Sequence, residues 1–258
     1  MEALLRQDRA AVLSSLTAIS IVAWAYILSL AWGMESSDAA MGMGLSQMRP
    51  WETADFVLTF VMWAVMMVAV MVPSAAPMVL MFAAVNRKRR EQRGPFVPTG
   101  VFLVSYLVVW SGFSALATVF QWQLHAATLL SPTIAVTSPV LGGVLLMAAG
   151  IFQWTPLKNV CLAHCRSPLS HIMTDWREGT GGAFVMGFRH GSYCVGCCWL
   201  LMALLFVAGV MNLLWVAAIG AFILVEKVLQ GNRWLSQTAG LLFIGWGTWM
   251  ALSPMLRP

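Results

Sequence analysis

The chain has 258 residues, 60% of them hydrophobic and only 10% charged, with a mean hydropathy of +0.79. A soluble domain carries about 25% charged residues, so this composition excludes a water-soluble globule and predicts a polytopic membrane protein. The net charge of +5 and pI near 9.2 do not point to nucleic acid. The basic residues gather in loops, where they act as topology signals and lipid-headgroup contacts.

Residues 1–10 are polar and carry Arg6, Asp8 and Arg9. The first predicted span, about 11–33, exceeds the ~20 apolar residues that cross a bilayer. It is too long, and too poorly followed by a small-residue cleavage site, to read as a signal peptide. Met34 to Asp55 reads as a polar loop, and the second span covers about 56–85. That span holds Met62, Met66, Met67, Met71, Met78 and Met81 around Val72-Pro73-Ser74-Ala75-Ala76-Pro77. Thioethers bind Cu(I) well and Zn(II) poorly, which makes Met67 and Met71 candidate ligands. Met is also an ordinary apolar filler, and core packing is the simpler account of any single one. The two prolines free backbone carbonyls, so a hinge or cavity is expected beside them.

A basic run, Arg87-Lys88-Arg89-Arg90, follows. The third span covers about 98–122, 123–139 is a loop, and the fourth span ends near Trp154. In the polar segment 155–182, Pro156 suits a first helical turn and Thr155 an N-cap. Cys161 and Cys165 then share a helix face, with His164 beside them. The spacing is reasonable for metal ligation but weak alone. The alternative is an interfacial helix whose thiols pack on the bundle while Lys158 and Arg166 meet headgroups.

The densest chemistry lies in Arg189-His190-Gly191-Ser192-Tyr193-Cys194-Val195-Gly196-Cys197-Cys198-Trp199. On a helix, His190, Cys194, Cys197 and Cys198 fall within an arc of roughly 100° and climb about 12 Å. Imidazole nitrogen and thiolate sulfur are ligands for Cu(I) and Zn(II). A lone Cys packs as a small apolar residue; three in five positions favour metal. Gly191 and Gly196 are expected to let a neighbouring helix or the 155–170 segment approach closely. The fifth span is predicted to follow this cluster as far as Val210, placing the cluster at a membrane boundary.

The short sixth span ends at Glu226-Lys227, where an interfacial anchor is the simplest account; an ion path, a metal or a buried pair are the alternatives. The seventh runs over about 234–252, and His125 and His171 read as solvated loop residues. The expected fold is therefore an all-α bundle of about seven transmembrane helices. Residues 1–55 form an amino-terminal span and periplasmic loop, and 56–254 a metal-binding membrane bundle. Loop charges predict a cytoplasmic amino terminus and an outward carboxyl terminus. That places all five cysteines at the cytoplasmic face, where thiols stay reduced.

Several of these stretches carry a resemblance: Met-Met-Val-Ala-Val-Met-Val-Pro-Ser-Ala-Ala-Pro-Met at 66–78, the Gln153-Trp154-Thr155-Pro156-Leu157-Lys158 run with Cys161, His164 and Cys165, the 190–199 block, and Glu226-Lys227. Over about residues 56–250 the chain resembles a bacterial family of predicted metal-binding integral membrane proteins, a domain of unknown function sometimes labelled a copper chaperone. That family often has Tyr where this chain has Trp154. The resemblance implies metal binding, copper foremost, in bacterial membranes, and supplies no reaction. The inner membrane is the expected location, and the thioethers set copper above zinc.

The expected function is Cu(I) handling, as a chaperone or in transfer across or within the membrane. The ligands would be His190, Cys194, Cys197 and Cys198, with Cys161, Cys165 and His164 completing or exchanging with them. Partners would be lipids and a copper protein or membrane complex. No phosphate loop, His-Glu-x-x-His or Ser-His-Asp set supports an enzyme. A thiol-disulfide redox protein using Cys194 and Cys197 is the main alternative, and a structural subunit of a membrane complex is the third.

Overall fold

The computed structural model describes residues 2–41, 51–91, 97–131, 134–167, 176–229 and 233–254. Among these the chain is all-α: α1 (Glu2–Met41), α2 (Thr53–Glu91), α3 (Thr99–Ala126), α4 (Pro139–Phe152), α5 (Pro156–Arg166), α6 (Gly179–Ala203), α7 (Leu205–Ala208), α8 (Leu213–Val228) and α9 (Arg233–Leu252). Local chemistry sets several of these boundaries. Ser138 caps α4 by accepting from the Leu141 N–H, and Thr155 caps α5 by accepting from Lys158, with Pro139 and Pro156 in the first turns. Pro73 and Pro77 sit inside α2 without ending it. A groove of about 660 Å³ lies beside them, between α1 and α2, lined by Leu16, Ser20, Trp24, Pro73 and Ala76.

Among the described residues, four stretches are long and apolar enough to cross a membrane: Arg9–Gly33, Thr53–Arg89, Thr99–Ala126 and Gly179–Ala208. The pair α4 and α5, bent by 64° at its break, would make a fifth. The seven spans expected from apolar runs are not all found among these, because two helices are short and a third is too polar. Helices α4 and α8 have 14 and 16 residues, about 21 and 24 Å, against an apolar core of about 30 Å. Helix α9 has 20 residues but carries Ser236, Gln237 and Thr238. At the other end, α1 continues to Met41 through the segment expected as a loop.

The fifth span does not begin after the cysteine cluster; its helix begins at Gly179, so Cys194, Cys197 and Cys198 lie around the middle of the apolar Gly179–Ala208 stretch. They are fully buried there rather than standing at a helix end.

Small residues allow the close crossings around α6. A Cβ on Gly187 would strike the Phe102 carbonyl and the Ser105 hydroxyl of α3, and one on Gly191 would lie 3.0 Å from Val109. A Cβ on Gly196 would lie 2.8 Å from the Cys161 sulfur of α5. The close approach expected at Gly191 and Gly196 is therefore present, with α3 at the first and α5 at the second. Helices α4 and α9 cross on two glycine pairs, Gly143 with Gly247 and Gly150 with Gly240.

Candidate metal centre

The site is built where α2, α3, α5 and α8 meet the middle of α6. Helical periodicity puts His190, Cys194 and Cys198 one turn apart on the inward face, and Cys197 beside them; all four are buried. The Cys165 sulfur, arriving on α5, comes close to the sulfurs of Cys194 and Cys197, which also neighbour that of Cys198. Four sulfurs from two helices thus converge. Cys161 packs beside them against Gly196, and all five cysteines are free thiols.

Cys194 is the hub. Its sulfur lies 3.1 Å from the Tyr106 hydroxyl of α3, and the Lys227 ammonium of α8 donates to it at 2.9 Å. Lys227 also donates to the Ser74 hydroxyl at 2.8 Å, and both Ser74 and Tyr106 donate to the Met71 carbonyl, at 2.9 and 3.2 Å. The Met71 thioether itself lies 3.9 Å from the Ser74 hydroxyl. Met71 is thereby tied to the sulfur cluster through shared partners. Met67, one turn earlier on α2, is equally buried in the core.

The predicted histidines fall in two environments. His190 is buried, and its ring lies 5.7 Å from that of Tyr106 and 6.0 Å from that of Phe102. His164 stacks on Tyr193 with ring centroids 4.0 Å apart, and its Nδ1 lies 2.8 Å from the Val160 carbonyl oxygen. That nitrogen is engaged on its own helix. His125 touches the Trp51 ring at 5.6 Å, and His171 lies outside the described residues.

The cysteines are gathered but not splayed for ligation. The thiols of Cys197 and Cys198 turn back to donate to the Cys194 carbonyl, at 3.1 and 2.9 Å. Correspondingly, among the described residues no group of three or more His, Cys, Asp or Glu side chains is arranged as a ready metal site. The donor set itself fits a soft monovalent ion, since it consists of clustered thiols with a thioether nearby. Rotation of the Cys197 and Cys198 side chains away from the backbone would free their sulfurs.

Glu226 and Lys227 are not an interfacial anchor. Both are buried, and they point to different partners. Glu226 accepts from Lys158 at 2.7 and 2.8 Å and from the Ser236 hydroxyl at 2.6 Å, while the Arg166 Nε donates to its main-chain carbonyl at 2.8 Å. Lys158, also buried, additionally contacts the Gln153 side-chain oxygen. So Lys158 and Arg166 turn toward α8, not toward headgroups. The sequence carried one sign of this: two adjacent charges at the end of an apolar run. What it lacked was the identity of their partners, which lie 68 positions away for the Lys158–Glu226 pair and 33 for Lys227–Cys194.

A family model described as "PpoB2: Copper chaperone" matches residues 60–250. No curated protein and no solved structure matches the chain.

Proposed function

From the premise that the chain belongs to this copper chaperone family, we propose that it is an integral membrane protein that binds Cu(I) on sulfur and passes it on. The observation that carries this reading is the convergence of Cys165, Cys194, Cys197 and Cys198 inside a bundle of apolar helices. Thiolates hold Cu(I) tightly, so rapid release requires an incoming sulfur to bind before the outgoing one leaves. Clustered thiols provide such exchange, with Cys161 at one side and Met71, then Met67, as weaker thioether donors at the other. His190 is the candidate nitrogen ligand, and His164 a peripheral one through its second ring nitrogen. Zinc, which prefers thiolate and imidazole without thioether, is the less suited ion.

In this reading the protein resides in a bacterial inner membrane with a cytoplasmic amino terminus, among lipids, and serves a copper-protein or membrane-complex partner. The charge of Lys227 suits the site. Cu(I) held by two thiolates bears a net negative charge, which an adjacent ammonium balances.

Metal analysis after anaerobic Cu(I) loading tests the proposal. The wild-type protein is expected to retain stoichiometric copper, and a Cys194→Ser/Cys198→Ser variant to lose it while keeping its helical circular dichroism. Full retention in the double variant would sink the assignment. Copper-loaded liposomes then separate carrier from chaperone: copper bound but not moved identifies delivery, and flux without a partner identifies transport. If Met67→Leu/Met71→Leu left flux unchanged, the thioethers would have no part in it.

A second reading rests on the Lys227–Cys194 contact, because a cation beside a thiol is also how redox cysteines are activated. In that case Cys194 and Cys197 would cycle between dithiol and disulfide with an external thiol-disulfide partner. A purified protein without affinity for copper but with a labile Cys194–Cys197 disulfide would favour it.

A further inference from the structure

The sulfur site is assembled from two helices, and only one of them holds its cysteines by its own continuity. Cys194, Cys197 and Cys198 share α6, so helix geometry keeps them together whatever else moves. Cys165 belongs to α5, an 11-residue segment set off from α4 by a 64° bend. A helix this short is marginal by itself and must be held by tertiary contacts.

Most of the packing of α5 is against α6, and its two buried or half-buried basic side chains, Lys158 and Arg166, both reach one residue of α8. The Glu226 carboxylate accepts from Lys158 in the first turn of α5, and its carbonyl accepts from Arg166 at the last residue of α5. One residue thus grips the segment near both ends, with Cys165 next to the second grip. The Ser236 hydroxyl of α9 orients the same carboxylate. Between the two grips, the missing side chain at Gly196 lets Cys161 seat against α6. Lys158 and Glu226 are 1% and 2% exposed, which makes this a desolvated pair whose partners are not exchangeable for water.

We propose that Lys158 and Glu226 are positioning residues that pin α5 against α6 and so make Cys165 a sulfur of the same site as Cys194 and Cys197. The pair touches none of the metal-binding sulfurs by hydrogen bond; it acts through the placement of α5. Its consequence for copper rests on the Cu(I) reading above, whereas its consequence for sulfur proximity does not.

The test has two arms. In a variant retaining only Cys165 and Cys197, with the other three cysteines replaced by Ser, diamide joins the two thiols as a disulfide and takes up their two hydrogens. Disulfide formation is expected to be fast. It should slow by about tenfold or more in Glu226→Gln and in Lys158→Met/Glu226→Leu, the double change removing both charges so that neither is left buried alone. The charge-swapped Lys158→Glu/Glu226→Lys variant should restore the rate. No disulfide between Cys165 and Cys197 in the starting variant, or one rate across the whole series, would overturn the proposal. In the second arm, X-ray absorption of Cu(I)-loaded protein with all five cysteines should show one fewer sulfur neighbour in Lys158→Met/Glu226→Leu; an unchanged count would also overturn it. If the starting protein holds no copper, the copper reading fails while the disulfide series still decides the pin.

Discussion

Glu226 and Lys227 are consecutive, yet about 100° of helical turn separates their side chains, so they serve different halves of the site. Glu226 holds α5 through Lys158, and Lys227 reaches Cys194 and Ser74. Removing one member of a buried ion pair leaves the other charge desolvated and uncompensated. Lys158→Met is therefore expected to destabilise the protein by about 3–5 kcal/mol, and adding Glu226→Leu to recover most of that loss. Unfolding in detergent measures both. A second residue-scale expectation concerns Gly187, where a Cβ would meet the Phe102 backbone, which cannot swing aside as a side chain could. Gly187→Ala should cost about 1–3 kcal/mol through overpacking, read as a lower melting midpoint. An unchanged midpoint would show that α3 and α6 leave room for a methyl group at this crossing.

At the scale of elements, α5 and the α4–α9 pair show how much could be read along the chain. Thr155 as cap and Pro156 in the first turn were legible because capping is local chemistry, and the structure has both. The start of α6 at Gly179 was not legible. Its first turns, Gly179-Thr180-Gly181-Gly182, look like loop in composition, and packing against α3 overrides that weak local preference. The α4–α9 crossing depends on glycines seven positions apart in each helix, Gly143 and Gly150 facing Gly247 and Gly240. A Cβ at Gly247 would lie 2.6 Å from the Gly143 carbonyl oxygen. Gly247→Leu should therefore force α9 off α4, and limited proteolysis should cleave near α9 faster than in the wild type. Equal cleavage rates would count against the glycine contact as the hold.

Across the whole molecule, the number of crossings decides where the ends lie. Four crossings put both termini on one side, whereas five or seven put them on opposite sides. With the proposed cytoplasmic amino terminus and a crossing by the bent α4–α5 pair, a cysteine introduced at Pro254 should react with an impermeant maleimide in intact cells. One at Lys88, in the basic run that follows the second span, should react only after permeabilisation. Protection of the Pro254 position would remove the odd number of crossings. Apolar runs that reach or exceed about 20 residues determined by themselves that the chain is helical and built of long apolar elements. Spacing alone also placed the α6 cysteines on one face, since 3.6 residues per turn is a property of any helix. Only the tertiary structure decided that this face lies at the middle of its helix, that Cys165 joins it, and that Glu226 and Lys227 are buried in its support. Those outcomes depend on which distant segments pack together, and burial of a charge is stable only where the fold delivers its partner.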